Sequence, residues 1–225
     1  MGDTAATDSY RVLLSGGEGE IVEKKSRFIA HTYHVTTEEE VQEVLEKVRK
    51  EYWDARHNCW AYVLGKDQVS ARCSDDGEPS QTAGKPMLDV IMGQDLHDTL
   101  VIVTRYFGGT LLGTGGLVRA YSKAAQEGLT HSKIITRIYG FKLNIKTDYT
   151  GLGKIQYLLG KRGLQILDTV YSDAVELKVL VSESEENVLI AEITEGTNGQ
   201  AVLEKGEDCW FAVVDKEIVI FAEGE

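Results

Sequence analysis

"DTLVIVTRYFGGTLLGTGGLVRAY", residues 98–121, passes from an apolar run through five glycines into an amphipathic segment. The unbroken apolar run predicts a strand buried on both faces. Beyond Gly116, the residues Leu117, Ala120, Tyr121 and Ala124 recur at i, i+3, i+4 and i+7, while Arg119, Lys123 and Glu127 point elsewhere. Strand, glycine loop and helix are therefore consecutive. The loop is either a tight packing turn or a cradle for an anion.

Working outward, "EIVEKKSRFIAHTYHV" (20–35) reads as one strand interrupted by Lys24, Lys25 and Arg27, with residues 1–17 ahead of it taken as a mobile lead-in. In "TTEEEVQEVLEKVRKEYWDA", Thr37 and Glu40 have capping-box spacing, and Val41, Val44, Leu45, Val48 and Tyr52 share a helical face. "NCWAYVLG" and "VSARCSD" predict a hairpin closed near Gly65, Lys66 and Asp67. A polar loop follows, and Pro86 is compatible with the first turn of a short helix.

A second pattern begins near residue 134: strand, helix, two strands around Ser172 and Asp173, helix, then strands to the end. That order is βαββαβ plus a hairpin, a split-βαβ, ferredoxin-like module. The expected domains are thus 1–133 and 134–225, in an α+β chain.

The 225 residues include 42% hydrophobic and 27% charged, enough for one domain or two small ones. A formal charge of −12 disfavours wholesale coating of a polyanion, because such binding relies on cations that release phosphate counterions. Residues 1–133 hold 15 basic and 20 acidic residues, and 134–225 hold 9 and 16, so the basic residues concentrate in the first module. Cys59, Cys73 and Cys209 form no C-x-x-C pair and suit a reducing compartment. The start lacks a basic-then-apolar leader, and no run of about 18 apolar residues occurs. These features give an expected cytoplasmic location without a membrane partner.

Four groups could carry chemistry. In the glycine loop, Gly108, Gly109, Gly113, Gly115 and Gly116 permit left-handed angles that let N–H groups converge on an anion, with Arg105 and Arg119 able to fork onto phosphate. "GTGGLV" lacks the third glycine of G-x-G-x-x-G, and "GEPSQTAGKP" has six residues between its glycines and a proline after the lysine, so nucleotide fingerprints do not fit. In "RCSDDGEPSQTAGKP", Asp75, Asp76 and Glu78 could hold Mg²⁺ or form a solvated turn. Strand alternation puts His57 and Cys59 on one side, either as a thiolate-imidazole pair or as structural residues. Lys25 and Arg27, two apart on one strand, would extend an anion-binding face.

Together, "KKSRFIAH", "ARHNCWAY", "RCSDDGEPSQTAGKPML" and "TRYFGGTLLGTGGLVRAY" resemble the N-terminal signature of the IMPACT/YigZ family over about residues 20–130, and the remainder is similar to the second domain of its bacterial YigZ-like branch. The resemblance implies a ribosomal-protein or elongation factor G domain IV-like fold with a left-handed βαβ crossover, followed by a module like elongation factor G domain V. The signature covers Arg56, His57, Arg72, Asp75, Asp76, Gly77, Glu78, Pro79 and Gly84 besides the loop residues, none with a defensible catalytic role. Eukaryotic members of the family regulate translation with the help of an added RWD domain, for which this chain has no separate segment.

The leading expectation is a noncatalytic binding protein without a cofactor, contacting structured RNA or the ribosome through Lys25, Arg27, Arg56, Arg105, Arg119 and the loop glycines. Its rivals are a hydrolase of a phosphorylated or nucleotide ligand using a metal on Asp75, Asp76 and Glu78, and a protein-interaction module acting on translation factors.

Overall fold

The apolar run becomes the centre of a five-stranded sheet. In the computed structural model, which describes residues 9–221, the chain divides into two compact units, one of Tyr10–Thr136 and one from Arg137 onward that also takes in Ser9. The first contains β1 (Ser9–Ser15), β2 (Glu18–Glu23), β3 (Ser26–His34), α1 (Glu38–Glu51), β4 (His57–Leu64), β5 (Ser70–Ser74), α2 (Gly84–Gly93), β6 (Thr99–Tyr106) and α3 (Thr114–Thr130). Sheet order is β2-β3-β6-β4-β5, and every neighbouring pair is antiparallel. Both β3 and β4 oppose β6, so they run parallel to each other, and α1 makes the crossover between them.

Helices cover both faces of this sheet, as the two-sided apolar run of β6 requires. Val41, Leu45 and Val48 of α1 pack over Tyr62, Leu64, Leu100 and Ile102. On the other face, α2 and α3 bring Met87, Ile91, Leu117, Tyr121 and Ala124 onto Phe28, Ala30, Cys59, Ala61, Val101 and Val103. Thr37 caps α1 by accepting the Glu40 amide at 3.2 Å, while the Glu40 carboxylate returns to the amide of Thr36 at 2.6 Å.

Two expectations change here. Residues 20–35 form two strands, because Glu23 pairs with Ser26 and the chain reverses at Lys24 and Lys25, both with positive φ (45° and 67°). Lys25 therefore sits in a turn and does not share a strand face with Arg27. Within the supposed mobile lead-in, Ser9–Ser15 is a strand whose Val12 and Leu13 are buried; positions 1–8 lie outside the described residues.

The second unit contains most of β7 (Lys133–Thr147), then α4 (Tyr149–Lys161), β8 (Ile166–Tyr171), β9 (Val175–Ser182), α5 (Glu186–Gly196), β10 (Val202–Val214) and β11 (Glu217–Phe221). Its path β11-β10-β7-β9-β8 is the antiparallel ferredoxin-like order with β11 added at one edge. One face buries Phe141, Leu143, Ile145, Leu177 and Val179 beneath Ile155, Leu159, Leu189 and Ile193 of the helices. Gly140 is obligatory in β7, since a Cβ there would lie 2.1 Å from the Val181 carbonyl oxygen.

Candidate anion-binding site

Sequence reasoning groups three acids and two arginines as exposed chemistry, and the structure divides them between an interior and a rim. Asp75 is a helix cap: its carboxylate accepts the amides of Gln81 (2.7 Å), Ala83 (2.9 Å) and Gly84 (2.9 Å) at the start of α2. Burial pushes its pKa up, but these amides outweigh burial and hold it below the ordinary aspartate range. Asp76 accepts the Asn58 amide at 2.7 Å, and its own carbonyl meets His57 Nδ1 at 2.8 Å.

Glu78 is buried against Arg105: the Glu78 and Arg105 side chains are 4% and 7% exposed, and Nη1 donates to Oε1 at 2.5 Å. The same oxygen accepts the Tyr121 hydroxyl at 2.9 Å. Arg105 also lies over Phe28 and Phe107, at 5.4 and 5.6 Å from the ring centroids.

This arrangement corrects the expectation for Arg105, whose charge is neutralised inside the unit instead of being offered to a phosphate. Asp75, Asp76 and Glu78 are likewise engaged with amides and a guanidinium, so they do not converge as a cation site. Among the described residues no group of three His, Cys, Asp or Glu side chains is placed to hold a metal ion. Cys59 donates to the Asp75 carbonyl at 3.0 Å, and burial pushes its thiol well above the usual range. His57 and Cys59 thus both anchor the 75–78 loop, and the thiol is not activated.

Removing the cap has a measurable consequence. Asp75→Ala is expected to lose roughly 1–2 kcal/mol of stability at neutral pH. Because the folded pKa is depressed, the stabilisation is full above the unfolded pKa, near 3.8, and fades as pH falls through the lower folded value. Urea unfolding at pH 7 and at successively lower pH should therefore show the wild-type and variant curves converging toward acid.

At the rim, the glycines have different roles. Gly108 is a point of close approach, because a Cβ would lie 2.0 Å from the carbonyl carbon of Lys25; its amide donates to Ser26 Oγ at 3.1 Å. Gly109 and Gly113 have φ of 84° and 71° with open space around them, so they supply backbone freedom. Gly115 and Gly116 fall within the first turn of α3, whose N-cap Gly113 provides no side-chain acceptor and whose first turn holds no acid.

Arg119 folds back along α3, placing Nη1 3.6 Å from where a Gly115 Cβ would stand. A cation directed toward the positive end of a helix is electrostatically unfavourable until an anion joins it. Lys24, from the β2–β3 turn, and Lys123 line the same cavity of about 220 Å³ with Arg119, Leu112, Gly116, Ala120, Ile21 and Glu23. Among the described residues, none of these three cations forms an ion pair, in contrast to Arg27, Arg72, Arg105 and Arg162. Lys24 and Lys123 are the components that sequence reasoning missed.

The remaining candidates stand apart from this cavity. Arg27 forks onto Glu20 through Nε and Nη2, both at 2.9 Å, so a phosphate there must displace a carboxylate. Arg56 is exposed just before β4, and Lys25 is exposed in the turn beside Lys24. A larger cleft of about 500 Å³ between α2 and α3 contains Lys85, but Asp89 pairs with it, leaving no excess of cations.

With the geometry established, relatives identify the chain. It is 45% identical over 199 residues to the "IMPACT family member YvyE" of Bacillus subtilis, covering 88% of this chain and 92% of that one. The chain belongs to the IMPACT family. Its residues 24–129 match the Impact N-terminal domain, and 145–200 match a domain of unknown function, DUF1949. IMPACT family member YigZ of Escherichia coli is 36% identical over 182 residues, covering 80% of this chain and 89% of its own. A solved structure titled "Crystal structure of an hypothetical protein" aligns with a TM-score of 0.57 at 33% identity, covering 89% of this chain and 98% of that chain.

Proposed function

We propose that this IMPACT family protein acts in translation as a noncatalytic binder of structured RNA, gripping phosphates at the rim cavity of its N-terminal unit. The observation that carries this reading is the convergence of Lys24, Arg119 and Lys123 beside the acid-free first turn of α3. Three cations without ion-pair partners among the described residues meet amides that lack a side-chain cap, a combination suited to phosphate oxygens. Family membership supports the setting in translation. The buried Glu78–Arg105 pair supports a binding role as well, since it stiffens the loop base without exposing a nucleophile or a general base.

Contacts to phosphate position a partner without reading its sequence. Recognition then depends on RNA shape, and the overall charge of −12 restrains binding elsewhere on the surface. The protein would work in the cytoplasm, where ribosomes and structured RNA are abundant.

Filter binding to ribosomes and to a structured RNA across a salt series tests the proposal. Neutralising about three phosphates gives a log–log salt slope near −2 to −3. Arg119→Ala should make that slope shallower by about 1 and weaken binding uniformly across RNA sequences. Lys123→Ala should behave likewise, whereas an unchanged slope and affinity in both variants would reject the cavity as the RNA site.

A further inference from the structure

The C-terminal unit offers chemistry of the opposite sign. Tyr139 of β7 lies opposite Trp210 of β10, and Trp210 lies opposite Phe221 of β11, so three aromatic residues form one registered row across neighbouring strands. The Tyr139 and Trp210 rings are tilted by 53° with centroids 5.1 Å apart. All three line a cavity of about 620 Å³, with Glu207, Asp208 and one cation, Lys142, on its wall.

We propose that this cavity seats the guanidinium of an arginine carried on a basic segment of a partner protein. Aromatic faces attract cations through their quadrupoles, and a flat guanidinium can stack on a ring while forking onto a carboxylate. The fold already contains the first half of that arrangement: Arg137 Cζ sits 4.1 Å from the Phe221 ring centroid.

The carboxylates have capacity to spare. Glu207 is 88% exposed and meets Lys142 at 3.5 Å, while Asp208 is 3.9 Å from Lys205, which engages Glu186 more closely at 3.0 Å. They lie where the β10–β7 register shifts between Lys205 and Asp208, a bulge that redirects side chains beside the aromatic row. The negative charge of Asp208 also raises the pKa of the Tyr139 hydroxyl. Stacked RNA bases would suit the rings, but two carboxylates against the single cation Lys142 leave the wall net negative, which disfavours phosphates and favours a cationic side chain.

This inference concerns a different unit from the proposed RNA cavity and stands independently of it. The test is fluorescence anisotropy of labelled acetyl-tetraarginine amide with the full chain, alongside tetralysine amide and oligouridine. Tetraarginine should bind at least fivefold more tightly than tetralysine. Asp208→Asn and Tyr139→Ala should each weaken it at least fivefold, whereas Glu176→Gln, an acid outside the cavity, and Arg119→Ala should leave it within twofold.

Asp208 is exposed, so its variant keeps the test valid if Tyr139→Ala unfolds. Unchanged binding in Asp208→Asn, an equal loss in Glu176→Gln, or oligouridine binding that depends on Tyr139 would each overturn the proposal.

Discussion

Glu78→Ala is expected to destabilise the N-terminal unit by about 3–5 kcal/mol, the range for removing one partner of a buried ion pair. The loss exceeds that of an exposed pair because it leaves Arg105 charged and 6% exposed beneath the glycine loop. It also strips the Tyr121 hydroxyl of its acceptor. By comparison, truncating Glu20, whose pair with Arg27 is exposed at the surface, should change stability by no more than about 1 kcal/mol. Urea unfolding of both variants provides the check, and a cost below about 1 kcal/mol for Glu78→Ala would show that the pair is not a structural anchor.

Gly108→Ala should be nearly as damaging, costing about 3 kcal/mol, at the upper end for overpacking. The added carbon would meet Lys25 backbone atoms at 2.0 and 2.2 Å, and backbone cannot swing aside as a long side chain can. The damage should extend to binding, because the same contact ties the glycine loop to the turn that carries Lys24. RNA affinity in the folded fraction should fall about tenfold, equivalent to about 1.4 kcal/mol. Gly109→Ala is the informative comparison: its space is open, and the cost is limited to a positive φ, about 1–2 kcal/mol. Thermal unfolding and filter binding on the two variants separate close approach from backbone freedom.

Why the sequence reveals some of this and hides the rest follows from range. The strand, loop and helix of residues 99–130 are readable because burial on two faces and a 3.6-residue period leave local marks. The ferredoxin-like order of the second unit is readable for the same reason. The β2–β3 turn is not, because Lys24 and Lys25 carry none of the Asn-Gly chemistry that normally marks a two-residue reversal. Their left-handed angles persist because the paired strands on either side impose them.

Arg105 misleads in another way, since a charged residue at a strand end suggests solvent. Alternation held the clue: Val101, Val103 and Arg105 share the face that packs under α3. Nothing local could identify Glu78 as its partner, 27 residues earlier, or show that Asp75 would cap a helix beginning nine residues later. Composition presents these acids as candidate ligands, and tertiary contacts turn them into fasteners.

The placement of β6 has a dynamic consequence. With a strand on each edge and helices over both faces, its amides can trade hydrogen for solvent deuterium only when the whole N-terminal unit opens. The glycine loop leaves the end of this slowest-opening strand, so fluctuations at the rim can proceed without loosening the foundation.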